Sequence, residues 1–268
     1  MPMTYPERIV CLTEETTETL YLLEEDWRIV GVSGFTVRPA RARKEKPKVS
    51  AFISAKIGKI LELEPDLVLG FSDIQADIAA ELVRHGVEVH VFNHRSIEEI
   101  FRMIRMLGGM IGCENKALAL TEKLETGLKE IHEAASRLPR RPRVYFEEWD
   151  EPMISGIRWV SELVEIAGGD DIFPEFARES LAKNRIHADG SEVIARQPDI
   201  IFGSWCGKKF RPEKVAAREG FHDVPAVLDG ELHEIKSSII LQPGPAALTD
   251  GVREIHKHIK RWAEKQEQ

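Results

Sequence analysis

Two stretches that lie half a chain apart decide the fold: residues 59–71 read Lys-Ile-Leu-Glu-Leu-Glu-Pro-Asp-Leu-Val-Leu-Gly-Phe, and residues 192–205 read Glu-Val-Ile-Ala-Arg-Gln-Pro-Asp-Ile-Ile-Phe-Gly-Ser-Trp. In each, a short amphipathic helix stops before a proline, which disfavours helix in the residue that precedes it. A continuous apolar run follows, as expected for a strand that is buried on both faces of a parallel sheet. The repeat predicts two similar α/β lobes.

The rest of the chain extends this pattern. The opening strands Arg8-Ile9-Val10 and Arg143-Val144-Tyr145 are also half a chain apart, and strand and helix patterns alternate throughout. Residues 114–137 form one long helical pattern between the two halves. We therefore predict an α/β fold of two Rossmann-like lobes with parallel central sheets, joined by one long α-helix. The predicted boundaries are 1–112 for the N-terminal lobe, 113–139 for the linking helix and 140–268 for the C-terminal lobe.

The composition limits the classes of partner and the cellular locations that we expect for this protein. The formal net charge of −8 provides no broad basic field for phosphates, so we expect no nucleic acid partner. No apolar stretch approaches the roughly 20 residues of a membrane span. The N-terminus has no apolar signal region, so we expect a cytoplasmic protein for the sequence as written, and a periplasmic or cell-surface protein if the N-terminus was trimmed. We expect a monomer.

The sequence contains no recognisable catalytic constellation. Phosphate-loop, dinucleotide-turn, HExxH and GxSxG motifs are all missing, so we expect a non-enzymatic protein without a covalent cofactor. His187, Asp189 and Glu192 could form an acid/base group, but Asp189-Gly-Ser-Glu192 is better interpreted as a helix start. The three cysteines are far apart and odd in number, which argues against a disulfide framework and against a structural zinc site.

Five ordered stretches resemble a known family, the helical-backbone (class III) periplasmic substrate-binding proteins of cobalamin, ferric-siderophore and haem ABC importers, and most closely the cobalamin-binding group. These stretches are Arg8-Ile-Val-Cys-Leu-Thr with Glu18-Thr-Leu, Val30-Gly-Val-Ser, Lys59 to Leu69, Ile154-Ser-Gly with Trp159-Val and Ala167-Gly-Gly, and Val193 to Ile201. The resemblance implies binding of cobalamin or a related corrinoid in an interlobe cleft, at the carboxyl ends of the central strands. It also implies an ABC importer permease as partner, or an intracellular relative that kept the fold and lost the transporter.

Residues just past the expected strand ends are the ligand candidates. A corrinoid is a broad, partly apolar ring rimmed by amides, which suits aromatic faces together with a few polar groups. The predicted ligand-binding residues are Glu15, Arg38, Phe71, Trp149, Trp159, Trp205, Ser238 and Gln242. Cys206 is a weak candidate to ligate cobalt or iron as a thiolate, and is more simply interpreted as a small buried residue.

Two other ligand classes stay open. A ferric siderophore or haem would use the same cleft with a different polar lining. A bare transition metal is a further alternative, because hard and borderline ligand types occur at Glu147, Glu148, Asp150, Glu151, His187, His222 and His233. The resemblance also implies carboxylates that dock onto importer arginines; at those positions this chain has Ala76 followed by Asp77, and Ser191 followed by Glu192.

Overall fold

The computed structural model describes residues 5–266, and within them the chain has the α/β architecture that the sequence predicts. The first sheet has six strands in the order β4-β3-β2-β1-β5-β6, and the second has five, with β11-β10-β7-β8 in order and β9 beside β7. All pairings are parallel except β3 with β4 and β7 with β8. The strands are β1 Ile9–Cys11, β2 Ile29–Ser33, β3 Lys48–Ala51, β4 Ser54–Ala55, β5 Leu67–Phe71, β6 Val89–Phe92, β7 Arg143–Asp150, β8 Met153–Ser155, β9 Asp170–Asp171, β10 Ile200–Gly203 and β11 Leu232–Glu234.

Helices follow most strands, as a parallel sheet requires for its crossover connections. They are α1 Glu14–Leu22, α2 Ala42–Glu45, α3 Ile57–Glu62, α4 Ala76–Arg84, α5 Ile97–Met110, α6 Glu114–Ala135, α7 Arg158–Ala167, α8 Ser191–Arg196, α9 Pro212–Ala216, α10 Pro225–Leu228, α11 Ser237–Ile240 and α12 Val252–Lys265. None of the helices between residues 5 and 266 combines the length and apolar character that crossing a bilayer requires.

The Pro-Asp repeat has the same structural role in both halves. Asp66 accepts hydrogen bonds from the backbone N–H groups of Glu7 and Arg8, at the start of β1. Asp199 accepts one from the backbone N–H of Arg143, the first residue of β7. Each aspartate therefore ties the start of one strand to its parallel neighbour, β5 to β1 and β10 to β7. The backbone turns before each proline through a residue with positive φ, 45° at Glu64 and 48° at Gln197.

The chain divides into two compact units. The first comprises the chain up to His94 together with Glu98–Lys123, and the second comprises Arg95–Ile97 together with the chain from Leu124 onward. The long helix α6 carries the chain from the first unit into the second. Buried β1 and β5 side chains such as Val10 and Val68 pack in the core of the first unit, while Tyr145 and Ile201 pack in that of the second.

The closing helix starts later than its amphipathic pattern predicts. Ile255, Ile259 and Trp262 form the expected buried face of α12. The amphipathic pattern of residues 248–264 predicts a helix that begins at residue 248, but Ala247–Gly251 form a π-helical turn and α12 begins at Val252. At Gly251 a Cβ atom would lie 2.3 Å from the carbonyl oxygen of Ile239, so the wider turn is accompanied by a close backbone approach that only glycine permits.

Candidate functional site at the carboxyl ends of the parallel strands

In the first unit, buried acidic side chains follow β1. Glu14 and Glu15 begin α1, and Glu15 is 1% exposed and accepts a 2.5 Å hydrogen bond from the hydroxyl of Thr13. Burial raises the pKa of Glu15 to about 8, and burial also raises the pKa of Glu14. Near neutral pH the carboxyl group of Glu15 is therefore largely protonated, and it can both donate and accept hydrogen bonds.

Large apolar side chains are exposed at the same end of this sheet. Phe35 and Val37 follow β2, Ile53 lies between β3 and β4, and Ile74 follows β5. Between 39% and 74% of each residue is exposed. Because the carboxyl ends of parallel strands meet at one edge of a sheet, these four residues lie at one edge, which we call the apolar edge.

The predicted ligand residues of the first unit lie at this end as well. Phe71 is the last residue of β5, is 6% exposed, and packs edge-on against the ring of His94 with centroids 4.9 Å apart. Arg38 is about one-third exposed, and its Nε donates a 3.0 Å hydrogen bond to Glu18. A ligand anion would therefore compete with Glu18 for this guanidinium.

In the second unit, the end of β7 carries three acidic residues, and each is paired with a cation from a different segment. Arg218 donates two hydrogen bonds to Glu147, at 2.5 and 2.9 Å, and Arg185 donates to Glu148 at 2.6 Å. Lys208 contacts Asp150. Burial alone would lower the pKa of Arg218, but its bonds to Glu147 outweigh burial and raise it. Burial would likewise raise the pKa of Asp150, yet the bond from Lys208 holds it below its ordinary value.

Aromatic side chains pack around these ion pairs. The indole N–H of Trp205 donates to Glu147 at 3.0 Å, and Trp205 is 3% exposed within the core of the second unit. Trp149 is half-buried, and the Lys208 ammonium lies 4.0 Å from its ring centroid. The sequence had indicated both tryptophans but gave no sign of Arg218 or Lys208, whose contacts join segments far apart in the chain.

The remaining predicted ligand residues of the second unit lie in different surroundings. Trp159 is 4% exposed and donates through its indole N–H to the carbonyl of Ile240, 2.8 Å away, in helix α11. Ser238, in the same helix, and Gln242, just after it, are both half-buried. Cys206 is exposed, which differs from the small buried residue that was expected. A ligand role for each of these residues stays a prediction.

The acidic and histidine residues considered for a bare metal are dispersed. His187 is buried and its Nε2 lies 2.6 Å from the hydroxyl of Ser155, while His233 bonds to Glu231. In the part of the chain that the structure describes, no group of three His, Cys, Asp or Glu side chains could hold a metal ion. The Asp189 carboxylate accepts the backbone N–H of Ser191, which confirms that this segment starts a helix.

Comparisons with known proteins agree with this architecture. A lipoprotein of Bacillus subtilis, described as an uncharacterized ABC transporter substrate-binding protein, is 26% identical over 95% of this chain and 80% of its own length. A vitamin B12-binding protein of Vibrio parahaemolyticus is 23% identical over 95% of this chain and 90% of its own.

Solved structures with the same fold carry several ligand descriptions. A possible iron-binding protein from Staphylococcus epidermidis superposes with a TM-score of 0.82 at 21% identity, covering 96% of this chain and 99% of that one. A haem-binding protein from Roseiflexus sp. RS-1 gives 0.79 at 22% identity, covering 94% and 99%. The vitamin B12-binding protein of Vibrio cholerae gives 0.76 at 21% identity, covering 97% and 99%.

The family model described as "Periplasmic binding protein" matches residues 9–239, and this match covers both sheets. The resemblance predicted from the five ordered stretches is thereby confirmed. The chain belongs to the periplasmic binding protein family.

Proposed function

We propose that this protein is a non-enzymatic receptor for cobalamin or a related corrinoid, which it captures at the carboxyl ends of its parallel strands and passes to an ABC importer. The observation that carries the proposal is the apolar edge of the first unit. Soluble proteins rarely leave several large apolar side chains exposed at one place unless the patch binds something. A corrinoid has a broad ring face that can cover such a patch.

The polar groups beside the apolar edge fit the rim of a corrinoid. Its amide side chains are hydrogen-bond donors and acceptors. The carboxyl group of Glu14 can accept from them, and that of Glu15, largely protonated near neutral pH, can also donate. Ferric siderophores and haem commonly carry anionic groups, which would require cations. Arg38, the cation predicted for this role, already donates to Glu18. The setting of these charges favours a ligand without a large negative charge.

Sequence relatives support the same ligand class. Proteins named for vitamin B12 or cobalamin binding match this chain over most of its length, at about one residue in four or five identical. Haem is the second candidate, because haem-binding structures superpose as well as the B12-binding one. We therefore treat haem as the competitor that an experiment must separate from a corrinoid.

The importer partner and the location follow the family. Asp77 and Glu192 are exposed in the first turns of α4 and α8, one residue beyond the docking positions that the sequence resemblance gave. We propose that these carboxylates dock on importer arginines. The expectation of a cytoplasmic protein finds no support, since the matched family is periplasmic and one relative is a lipoprotein. We propose a periplasmic or cell-surface location instead.

A visible absorbance titration tests the ligand. The purified chain is titrated with cyanocobalamin and aquacobalamin, and haemin and a ferric siderophore are added as competitors. We expect saturable one-to-one binding of the corrinoids that neither competitor displaces. Binding of haemin alone would replace the corrinoid with haem. A spectral shift seen only with aquacobalamin would show that a protein side chain, such as Cys206, reaches cobalt.

A further inference from the structure

Gln75 is fully buried and its side-chain amide joins three separate backbone segments of the first unit. Its Oε1 accepts the backbone N–H of Phe71 at 2.9 Å. Its Nε2 donates to the carbonyl of Phe52 at 2.9 Å and to that of Leu12 at 3.4 Å. Both donor hydrogens and the acceptor oxygen of one side chain are thus used on backbone groups.

The three segments are the ones that present the proposed ligand groups. Leu12 immediately precedes Thr13 to Glu15, Phe52 immediately precedes Ile53, and Phe71 ends β5 just before the turn that carries Ile74. They lie at the carboxyl ends of β1, β3 and β5, which are not all neighbours in the sheet, because β2 lies between β1 and β3. Sheet hydrogen bonds therefore do not fix the loop after β3 against the other two, whereas Gln75 does.

Local structure is arranged around this glutamine. Gly70 has no side chain, and a Cβ atom there would lie 3.0 Å from Oε1 of Gln75. Ser72 has a φ of 63°, outside the usual range for a residue other than glycine, and its hydroxyl accepts the backbone N–H of Ile74. The chain thus adopts an uncommon conformation that returns Gln75 beneath the strand ends.

We infer that Gln75 is a positioning residue of the binding site: it holds the segments that carry Glu15, Ile53 and Phe71 in the one arrangement that receives the ligand. This inference rests on the proposed function for its ligand, but the arrangement of the three segments can be measured without any ligand. Gln75 itself lies under the edge and touches backbone, so it acts through the residues that it positions.

The test uses the full chain and two substitutions at this position. Gln75→Met keeps the approximate shape and removes all three hydrogen bonds. Gln75→Glu keeps an acceptor for Phe71 but has at most one donor, the O–H of a protonated carboxyl group, so at least one of the bonds to Leu12 and Phe52 is lost. The matched control is Gln197→Met in the second unit, since the Gln197 amide also donates to a backbone carbonyl, that of Ile194, but joins no separate segments.

Hydrogen exchange of the ligand-free protein is the first readout. We expect Gln75→Met to raise amide exchange at residues 50–55 and 71–76 and to leave α12 and the second sheet unchanged. Gln75→Glu should raise it at 50–55 while the Phe71 amide stays protected. A merely destabilised protein would exchange faster everywhere, and that result, or unchanged exchange in both segments, would overturn the inference.

Affinity for cyanocobalamin is the second readout, measured where every variant is folded by circular dichroism. We expect at least a tenfold weaker affinity for Gln75→Met and an unchanged affinity for Gln197→Met. Faster amide exchange in the two segments of Gln75→Met, together with wild-type affinity for cyanocobalamin, would also overturn the positioning role. A wild-type protein that binds no corrinoid would instead overturn the proposed function, and the exchange data would still decide whether Gln75 joins the three segments.

Discussion

The burial of the Glu15 carboxyl group predicts how the stability of the folded protein depends on pH. Glu15 is 1% exposed, and burial raises its pKa from 4.5 to about 8. The folded protein therefore holds this proton more tightly than the unfolded chain does. The stability that neutral Glu15 provides is fully present below pH 4.5 and is lost as the pH rises through 8. Replacing Glu15 with Gln should remove that loss.

The expected magnitude follows from the two pKa values. Each tenfold difference in proton affinity corresponds to about 1.4 kcal/mol, so the wild-type protein should lose roughly 5 kcal/mol of unfolding free energy between pH 4 and pH 9 through this group. Glutamine has nearly the same shape, and its amide oxygen can accept the hydroxyl proton of Thr13 in place of the carboxylate. Glu14 remains in both proteins, so its own burial contributes equally to both; the variant loses only the repulsion between the Glu14 charge and an ionised Glu15.

Urea unfolding of wild type and Glu15→Gln at several pH values from 5 to 9 measures this difference. We expect the two proteins to be about equally stable at pH 5, and the variant to be more stable by about 3 kcal/mol at pH 8. Glu81→Gln, which changes an exposed carboxylate on α4, is the control and should follow wild type. A difference between Glu15→Gln and wild type that does not change with pH would refute the reasoning.

Two further substitutions test the second unit. Arg218→Met leaves the fully buried Glu147 without its cation, which should cost about 3 kcal/mol in urea unfolding, and a loss below about 1 kcal/mol would contradict the pairing. Gly203→Ala should cost more than about 2 kcal/mol, because its Cβ would lie 1.9 Å from the Phe210 ring. Gly58→Ala, in helix α3 with nothing near its Cβ, should be neutral or stabilising by about 0.5 kcal/mol in the same assay.

The fold could be predicted because the signals that make up its repeat depend only on neighbouring residues. A proline that ends a helix and an apolar run that fills a parallel strand act within a few residues, so 59–71 and 192–205 were enough to indicate both central sheets. The hydrogen-bond partner of the aspartate in each Pro-Asp pair was harder to predict. Asp199 bonds to Arg143, 56 residues away, and only the matching offset of the opening strands suggested that the two belong together.

The sequence could predict where the candidate residues lie in the fold, but it could predict much less about what their side chains contact. Topology alone places residues at or just past the carboxyl ends of the strands, as with Phe71 and Glu15, and their ligand role stays a prediction. What each side chain contacts depends on distant segments: Arg218 reaches Glu147 across 71 residues, and Gln75 reaches Leu12 across 63. No periodicity marks such contacts. For the same reason the position of Trp205 just past an expected strand end indicated a ligand residue without showing that it packs into a core.

The charges at the end of β7 bear on the choice among ligand classes. A bare metal cation would have to displace Arg218, Arg185 or Lys208 from the carboxylates they neutralise, and leaving one of those charges unpaired in a buried setting costs several kcal/mol. An anionic chelate would meet the opposite obstacle, because the same three cations are already committed. A ligand with a large apolar face and a rim of neutral amides disturbs none of these pairs. The ion pairs of the second unit therefore support the ligand class that we propose.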